Sequence, residues 1–414
     1  MKNKNLNVDG ERLWLSIMEM AKIGATEKGG CCRLALSDLD KDARDLFVSW
    51  CREAGCTIKI DKIGNIFARR DGRNNDLAPV MTGSHLDTQP TGGKFDGIYG
   101  VLAGLEVIHS LNDLGYVTER PIEVAVWTNE EGSRFAPAMV ASGVFAGVYD
   151  LEYGLSRVDR EGKTMGEELK RIGYAGEEEV SGRDVYSFFE VHIEQGPILE
   201  SEDAPIGIVT GGQGQRWYEL NIIGVESHAG TTPMDRRRDA LLGASRVVEL
   251  VNRISLDNKP LACATVGMIE SYPNSRNVIP GKVFLTVDMR HPEDDTLSNM
   301  DQALRDGAQK IMTSIGLECE MEQIFYYAPV PFEESCIEAV RVAAKNCGYA
   351  AREIVAGAGH DACYISEVAP TAMIFIPCID GISHNEIEDA KPEWITAGCD
   401  VLLHAVLDKA GHVS

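Results

Sequence analysis

The stretch that decides the fold is "IEVAVWTNEEGSRF", residues 122–135. Its first six residues form a near-continuous apolar run, typical of a strand that is buried on both faces of a sheet. The run leads into two adjacent acids, Glu130 and Glu131. Neighbouring carboxylates repel each other, and they are costly to remove from water unless a cation lies nearby. The stretch therefore indicates either a solvated loop or a cation site at the end of a buried strand.

Similar apolar runs occur on both sides of this stretch. "SFFEVHI" (187–193) and "TAMIFIP" (371–377) have strand character, and "LAPVMTGSHLDT" contains a short strand that ends near Thr82. "DGIYGVLAGLEVIHSLNDLG" has apolar residues at helical spacing and stops at Gly115. A strand, a helix and a strand in this order form a βαβ unit. We therefore predict an α/β fold with a mostly parallel central sheet.

The middle of the chain has a different pattern and predicts a second domain. Between residues 216 and 327 the apolar periodicity gives the order β-α-β-β-α-β, which is that of a split βαβ sandwich of the α+β class. The Gly-rich "TGGQGQ" precedes this segment and "APVPF" follows it, as paired linkers. We predict a domain at 214–329 inserted into an outer domain of residues 1–213 and 330–414.

Composition excludes several classes of function. The chain has 414 residues and a formal net charge of −24, which disfavours binding to nucleic acid or to an anionic membrane. We find no signal peptide and no apolar run of membrane-spanning length. The eleven cysteines are an odd number without a disulfide pattern. We therefore expect reduced thiols and a cytoplasmic location.

Residues that can bind metal cluster after the predicted strands of the outer domain. Ligands in open α/β sheets gather outside the carboxyl ends of the strands. Each such residue alone is more often a surface, turn or core residue than a ligand. Together they favour a metal site, because a bound cation explains all of their positions. These residues are His85, Asp87, Asp96, Glu130, Glu131, His192 and His384.

The residue types indicate the kind of metal site. Imidazole and carboxylate without sulfur suit zinc or a similar divalent ion at a catalytic centre. The cluster is too large for one three-ligand zinc and suits two ions that share a carboxylate, an arrangement that activates water for hydrolysis. Asp87 lies two residues from His85 and is placed to orient its imidazole.

These motifs resemble a known family. "GSHLDTQPTGGKFDG", "TNEEGSRF", "FFEVHIEQGPILE", "VESHAGTTPM", "NVIPGKV", "GAGHDA" and "GISHNE" resemble, in this order, the amidase branch of the di-zinc aminoacylase and carboxypeptidase superfamily. That branch contains N-carbamoyl-L-amino-acid hydrolases, β-ureidopropionase and allantoate amidohydrolase. The resemblance covers nearly the whole chain.

The resemblance implies a role for each residue of the cluster. His85, Asp96 and His192 hold one ion, and Asp96, Glu131 and His384 hold the other, so that Asp96 bridges the two. Glu130 is the general base rather than a ligand. The expected ions are Zn²⁺, with Mn²⁺, Co²⁺ or Ni²⁺ as alternatives.

The resemblance also assigns the inserted domain as a lid that pairs in a homodimer. His228 stabilises the oxyanion, and Arg290 binds the carboxylate of a small carboxylated ureide substrate. The remaining substrate positions that the family pattern implies are Gln195, Gln215, Asn277, Gly359 and His360. The expected reaction releases an amino acid, ammonia and carbon dioxide from an N-carbamoyl amino acid.

Three alternatives stay open at this stage. Allantoate amidohydrolase uses the same metals and the same kind of substrate-binding residues. A dipeptidase is disfavoured, because His192 stands where peptidase relatives usually carry an acid. A catalytically inactive metal-binding or scaffold protein on this fold is disfavoured by Glu130, since a pure binder needs no base beside its metals.

Overall fold

Two units make up the computed structural model, which describes residues 6–411. The outer unit consists of the described residues up to Gly211 and from Pro331 onward, and the inserted unit spans Gly212–Val330. These limits lie beside the positions 213/214 and 329/330 at which the sequence places its linkers. The two units are described separately below.

The strands are numbered in chain order. They are β1 Thr57–Ile60, β2 Ile66–Arg70, β3 Val80–His85, β4 Ile122–Trp127, β5 Ser187–Ile193, β6 Ile206–Gly212, β7 Gly214–Ile223, β8 Ser227–His228, β9 Cys263–Tyr272, β10 Val278–Ile279, β11 Lys282–His291, β12 Glu318–Tyr327, β13 Val330–Pro331, β14 Ala351–Ala356 and β15 Thr371–Ile376.

The helices are α1 Gly10–Met20, α2 Asp38–Glu53, α3 Ile98–Asp113, α4 Val140–Phe145, α5 Leu151–Leu155, α6 Met165–Ile172, α7 Ile198–Ser201, α8 Ala240–Asp257, α9 Asp294–Ile315, α10 Glu334–Cys347, α11 Asp361–Ile365 and α12 Pro392–Ala410. Short 3₁₀ turns occur at Met234–Arg236 and Ile379–Gly381.

The sheet of the outer unit has a parallel centre. Its strand order is β1-β2-β4-β3-β5-β15-β6-β13, and β14 pairs with β6. The four central strands β4, β3, β5 and β15 run parallel, whereas β1, β2 and β6 pair antiparallel. Every residue of the four central strands is buried. The prediction of a largely parallel central sheet is therefore confirmed, with antiparallel strands added at its flanks.

Helices cover the central strands of the outer unit. Helix α3 follows β3 and packs on β3, β5 and α12, and nearly all of its side chains are buried. Only its last two residues, Asn112 and Asp113, are exposed, so α3 belongs to the core. This packing brings the first residues of α3 to the carboxyl end of β3.

The inserted unit is a four-stranded antiparallel sheet with order β12-β7-β11-β9. Strand β7 alternates buried and less buried residues, and its buried side chains Tyr218, Leu220 and Ile222 join those of α8 and α9 in one apolar cluster. One face of the sheet is thus covered by two helices, as the period-two pattern requires. Strands β9 and β12 are its two edges.

Two further sequence expectations concern the whole described chain. In residues 6–411, no helix is both long and apolar enough to cross a membrane. All eleven cysteines are free thiols.

Candidate metal centre

Five side chains from separate segments of the outer unit meet at the carboxyl ends of its parallel strands. His85 ends β3, His192 lies on β5, Asp96 precedes α3, and Glu131 and His384 follow β4 and β15. Asp96 is at the centre of the cluster. Its Oδ1 lies 3.1 Å from His192 Nε2 and 3.6 Å from His85 Nε2, and its Oδ2 lies 3.3 Å from His384 Nε2. His384 Nε2 is also 3.5 Å from Glu131 Oε2.

These side chains form two groups that share Asp96. One group is His85, Asp96 and His192, and the other is Asp96, Glu131 and His384; within each group the ligand atoms lie within 4.8 Å of one another. The donor set of imidazole nitrogens and carboxylate oxygens fits zinc and related divalent ions. The two groups therefore have the chemistry and the spacing to hold metal ions, with Asp96 placed between them.

The ring orientations of two histidines are set by backbone carbonyls. His85 Nδ1 lies 2.8 Å from the carbonyl oxygen of Asp87, and His192 Nδ1 lies 2.9 Å from that of Ile193. A carbonyl oxygen only accepts, so Nδ1 carries the proton in each ring. Each Nε2 faces Asp96, and it can bind an ion there once it has lost its own proton.

Asp87 acts differently from the sequence expectation. Its carboxylate is 3.9 Å from His85 Nδ1, and the imidazole is oriented by the main-chain carbonyl of Asp87 instead. The carboxylate accepts the backbone N–H groups of Glu130 and Glu131, each at 3.2 Å. Asp87 therefore joins the loop after β3 to the loop after β4, which carries both glutamates.

The two adjacent glutamates take separate positions. Asn129 has a left-handed backbone conformation, with φ of 59°, which asparagine tolerates better than most residues. After this turn, Glu130 Oε2 lies 3.5 Å from His85 Nε2, whereas Glu131 is on the His384 side and accepts hydrogen bonds from the backbone and side-chain N–H groups of Gln89. Glu130 is in neither of the two shared-aspartate groups.

Gly97 allows the backbone before α3 to lie close to the His85 ring. A Cβ atom at position 97 would lie 2.3 Å from the His85 ring, and the residue has a positive φ of 71°. Only glycine fits both conditions without displacing the imidazole. The "FDG" sequence thus places Asp96 and the start of α3 directly against the end of β3.

Burial and neighbouring charges shift the pKa values of this cluster in opposite directions. Burial opposes ionisation of Asp96, but hydrogen bonds from His192, His384 and His85 outweigh it and hold the pKa of Asp96 well below its usual range. The hydrogen bond to Asp96 raises the pKa of His384 to about 9. Burial, followed by the charge of Asp96, raises the pKa of Glu131 to about 7, and burial raises the pKa of Glu130 well above its usual value.

The expected substrate residues of the outer unit lie beside the cluster. The side-chain N–H of Gln195 donates to Asp96 Oδ2 at 2.8 Å, and Gln195 has a positive φ of 57°. The buried His360 ring lies edge-on to His192, with 4.6 Å between ring centroids, and its Nε2 has no hydrogen-bond partner. Burial, together with the charge of His192, holds the pKa of His360 well below its usual value. Gly359 is exposed next to it.

The other four expected residues belong to the inserted unit. His228 on β8 accepts the N–H groups of Gly230 and Thr231 at Nδ1, so a neutral ring carries its proton on Nε2 and can donate from there. Asn277 lies beside it, because the Asn277 carbonyl accepts the N–H of Ala229. Arg290 and Gln215 face each other as partners in the pairing of β11 with β7.

Several residues that contact the cluster were missed by the sequence analysis, among them Gln89, Ser383 and Glu388. Gln89 donates to Glu131, Ser383 Oγ lies 3.1 Å from Asp96 Oδ2, and Glu388 accepts the backbone N–H of Asp96. Gln89 lies four residues after His85, and Glu388 lies four residues after His384. Their closeness to ligands in sequence was the available signal, but nothing local showed which partner each would meet.

The fold and the site define a metal-dependent hydrolase. The chain belongs to the peptidase family M20/M25/M40, whose sequence profile matches residues 81–408. Among curated relatives, an N-carbamoyl-L-amino-acid amidohydrolase from Rhizobium meliloti is 52% identical over 407 residues and covers 98% of each chain. An allantoate amidohydrolase from Bacillus subtilis is 33% identical and covers 92% of this chain and 93% of its own.

A solved structure gives the same result for the fold. An amidase of the hydantoinase/carbamoylase family from Burkholderia multivorans superposes with a TM-score of 0.97 at 68% sequence identity. The match covers 99% of this chain and 100% of the other.

Proposed function

We propose that this chain hydrolyses the ureido C–N bond of N-carbamoyl amino acids, with an L-α-amino acid or β-alanine as the amino-acid part. One water is consumed, and the products are the amino acid, ammonia and carbon dioxide. The observation that carries the proposal is the arrangement around Asp96: two metal-binding groups share this residue, and Glu130 stands beside them outside both groups. The similarity to the Rhizobium meliloti amidohydrolase supports the substrate class.

Two divalent ions per chain are proposed, one held by His85, Asp96 and His192 and the other by Asp96, Glu131 and His384. Zn²⁺ is the expected ion, with Mn²⁺, Co²⁺ and Ni²⁺ as alternatives. When bound, such ions polarise a carbonyl and lower the pKa of water. The three imidazoles, the shared carboxylate of Asp96 and the carboxylate of Glu131 would supply the ligands.

Glu130 is proposed as the general base. It takes a proton from the attacking water and returns a proton to the leaving nitrogen. Its position next to His85, and its backbone hydrogen bond to Asp87, keep the carboxylate at the edge of the metal cluster. The burial that raises its pKa also favours the proton-accepting step, since a more basic carboxylate accepts a proton more readily.

The inserted unit is proposed to recognise the substrate. Arg290 binds the carboxylate with its planar fork of N–H donors. His228 donates from Nε2 to the developing oxyanion. The remaining contacts to the ureide are assigned to Gln195, Gln215, Asn277, Gly359 and His360. These short contacts are needed because the net charge of −24 cannot attract an anionic substrate over long distance.

The inserted unit is also proposed to be a lid and the interface of a homodimer. Exposed apolar side chains occur along α8, at Leu241, Leu242, Val248 and Leu256, and on the adjacent edge strand β9. An unpaired edge strand with apolar neighbours needs a cover, and a second copy of the same surface supplies one. A cytoplasmic location and the absence of nucleic-acid and membrane partners complete this proposal.

Allantoate amidohydrolase is the second candidate function. Allantoate is also a carboxylated ureide, and the relative from Bacillus subtilis with that name covers most of the chain. A catalytically inactive metal-binding or scaffold protein is the alternative from another class.

One assay separates these three functions. Ammonia release is measured from N-carbamoyl-β-alanine, several N-carbamoyl-L-α-amino acids and allantoate, each with Zn²⁺, Mn²⁺, Co²⁺ and Ni²⁺. We expect turnover of an N-carbamoyl amino acid and little of allantoate, with Glu130→Gln as the inactive control. Preference for allantoate would support the second candidate, and no turnover by a metal-loaded enzyme would support the inactive protein.

A further inference from the structure

The loop between β15 and α12 contains a buried glutamate for which the proposed reaction has no role. We infer that Glu388 is a positioning residue that fixes Asp96 and His384 relative to each other, an inference that rests on the proposed two-ion site. Glu388 is 1% exposed. Its Oε1 accepts the backbone N–H groups of Phe95 and Asp96, at 3.0 and 3.1 Å.

The second oxygen of Glu388 holds the other side of the site. Its Oε2 accepts the hydroxyl of Ser383 at 2.8 Å, and the Ser383 oxygen is also 3.1 Å from Asp96 Oδ2. Ser383 directly precedes His384, whose Nε2 is 3.3 Å from the same Asp96 oxygen. One carboxylate therefore joins the backbone of Asp96 to the backbone segment that carries His384.

The chain leaves space for this carboxylate at Gly93. A Cβ atom at position 93 would lie 2.1 Å from Glu388 Oε1 and 2.1 Å from its carboxyl carbon. Any larger residue there would displace the glutamate. The "TGGKFDG" loop is thus shaped around Glu388 as well as around the metal cluster.

The hydrogen bonds distinguish positioning from metal binding. Both oxygens of Glu388 already accept N–H or O–H donors, and Glu388 is in none of the groups of described residues that could hold an ion. A carboxylate that accepts three such bonds orders the groups around it, as partners behind metal ligands commonly do. Its effect on metal binding is therefore indirect.

Loss of Glu388 should affect the two ions unequally. His85 and His192 lie on the central strands β3 and β5, where the sheet holds them. His384 lies on a loop, with a positive φ of 52°, and reaches Asp96 only while that loop is held in place. We therefore expect the ion of the Asp96, Glu131 and His384 group to depend more strongly on Glu388.

The test measures Zn²⁺ binding to the full-length metal-free protein by calorimetry, with metal content after dialysis. Glu388→Ala should lower the affinity for the ion of the Asp96, Glu131 and His384 group (the second ion) by about 10- to 100-fold, the usual effect of losing a partner of a metal ligand. Affinity for the other ion (the first ion) should stay nearly unchanged. Glu388→Gln keeps an oxygen for the two N–H donors and should restore most of the affinity. The matched control is Glu393→Gln, at an exposed glutamate in the first turn of α12.

Two ions bound to Glu388→Ala with unchanged affinity would overturn the inference. Should this variant fail to fold, Ser383→Ala removes the hydrogen bond to Glu388 Oε2 and should lower the affinity for the second ion in the same way. Unchanged metal affinity of Ser383→Ala would also overturn the inference. A wild-type chain that binds two ions but hydrolyses no ureide would contradict the proposed function alone. A wild-type chain that binds one ion would contradict both.

Discussion

The carboxylate of Asp288 lies against the guanidinium of Arg290 on the same face of β11. Arg290 Nη2 is 2.8 Å from Asp288 Oδ2, and Nε is 3.1 Å from each carboxylate oxygen. Residues two apart on a strand point to the same side, so this pair follows directly from the sequence "DMR". Asp288 thus engages one edge of the guanidinium and limits the directions in which its other N–H groups can point.

The first prediction concerns Arg290. Arg290→Lys should lower kcat/KM for the carboxylate substrate substantially, because an ammonium cannot pair with Asp288 and still offer a second planar edge. Arg290→Ala should lower it further, by roughly 2–5 kcal/mol in the free energy of transition-state binding, the range for losing one partner of a close charge pair. Both variants should keep their metals.

The control for this prediction is Arg305→Ala, since Arg305 also pairs with an aspartate in the inserted unit but lies on α9. The wild type should discriminate strongly against the neutral amide of its best substrate, and Arg290→Ala should discriminate much less. Normal kinetics of Arg290→Ala on the carboxylate substrate would remove the main residue-level support for an anionic ureide.

The second prediction separates the adjacent glutamates. Glu130→Gln should retain both ions and lose at least the roughly 10²–10⁴-fold in kcat that general acid–base catalysis supplies. Glu131→Gln should instead lower the affinity for the ion near His384, because Glu131 Oε2 lies 3.5 Å from His384 Nε2. Metal content and kcat are measured on both variants, and the reverse pattern would show that the two roles are exchanged.

The third prediction concerns pH in the metal-free protein. The pKa of His384 is raised from 6.5 to about 9, and that of Glu131 from 4.5 to about 7, so both groups hold protons that an incoming ion must displace. Metal affinity should therefore rise with pH between 6 and 9, with release of protons. Calorimetry in buffers of different ionisation enthalpy measures this release, and a pH-independent affinity would contradict the prediction.

The same pKa shifts predict that the stability of the metal-free protein falls with rising pH, whereas metal affinity rises. A histidine whose pKa is raised on folding stabilises the fold fully below pH 6.5, and this contribution is lost as pH rises toward 9. A carboxyl whose pKa is raised also favours the fold in its protonated form, so Glu131 acts in the same direction near pH 7. The metal-free protein should therefore lose stability from pH 6.5 to 9, whereas the difference between metal-loaded and metal-free melting temperatures should grow.

The fourth prediction concerns the proposed homodimer. Val248→Asp places a charge on the exposed apolar side of α8 and should dissociate the dimer, because the charge cannot be buried without a partner. Analytical ultracentrifugation measures the change. Ile324→Asp on β12, the opposite edge of the same sheet, is the matched control and should leave the dimer intact. A Val248→Asp variant that remains dimeric would exclude this side of α8 from the interface.

Much of the candidate site was accessible to sequence analysis because several of its residues lie on strands or directly after them. His85, Glu131 and His192 lie on or just beyond runs whose apolar character marks them as buried parallel strands. The carboxyl ends of parallel strands share one edge of the sheet, so these side chains had to converge. Periodicity likewise predicted the order of β7, α8, β9, β11, α9 and β12, in which alternating residues of β7 and β11 mark a sheet with one covered face.

The role of Asp87 could not be predicted in this way. Its distance from His85 in sequence suggested that the carboxylate orients the imidazole, yet the carbonyl of the same residue does so. The carboxylate instead binds two backbone N–H groups more than 40 residues away, those of Glu130 and Glu131. Spacing in the sequence shows which neighbouring groups a side chain can contact. It does not show which distant hydrogen-bond donors the fold places beside the same side chain.

The sequence by itself determined the residue types of the candidate metal site, the strands that present them and the β-α-β-β-α-β order of the inserted unit, because these depend on local periodicity and residue chemistry. Only the tertiary structure decided the flanking antiparallel strands, the separate surroundings of Glu130 and Glu131, and the contacts of Glu388 with Phe95 and Asp96, residues 293 and 292 positions away. Hydrogen bonds at such separations leave no periodic signal in the chain. They form where packing has already brought two segments together and excluded water from the groups that pair.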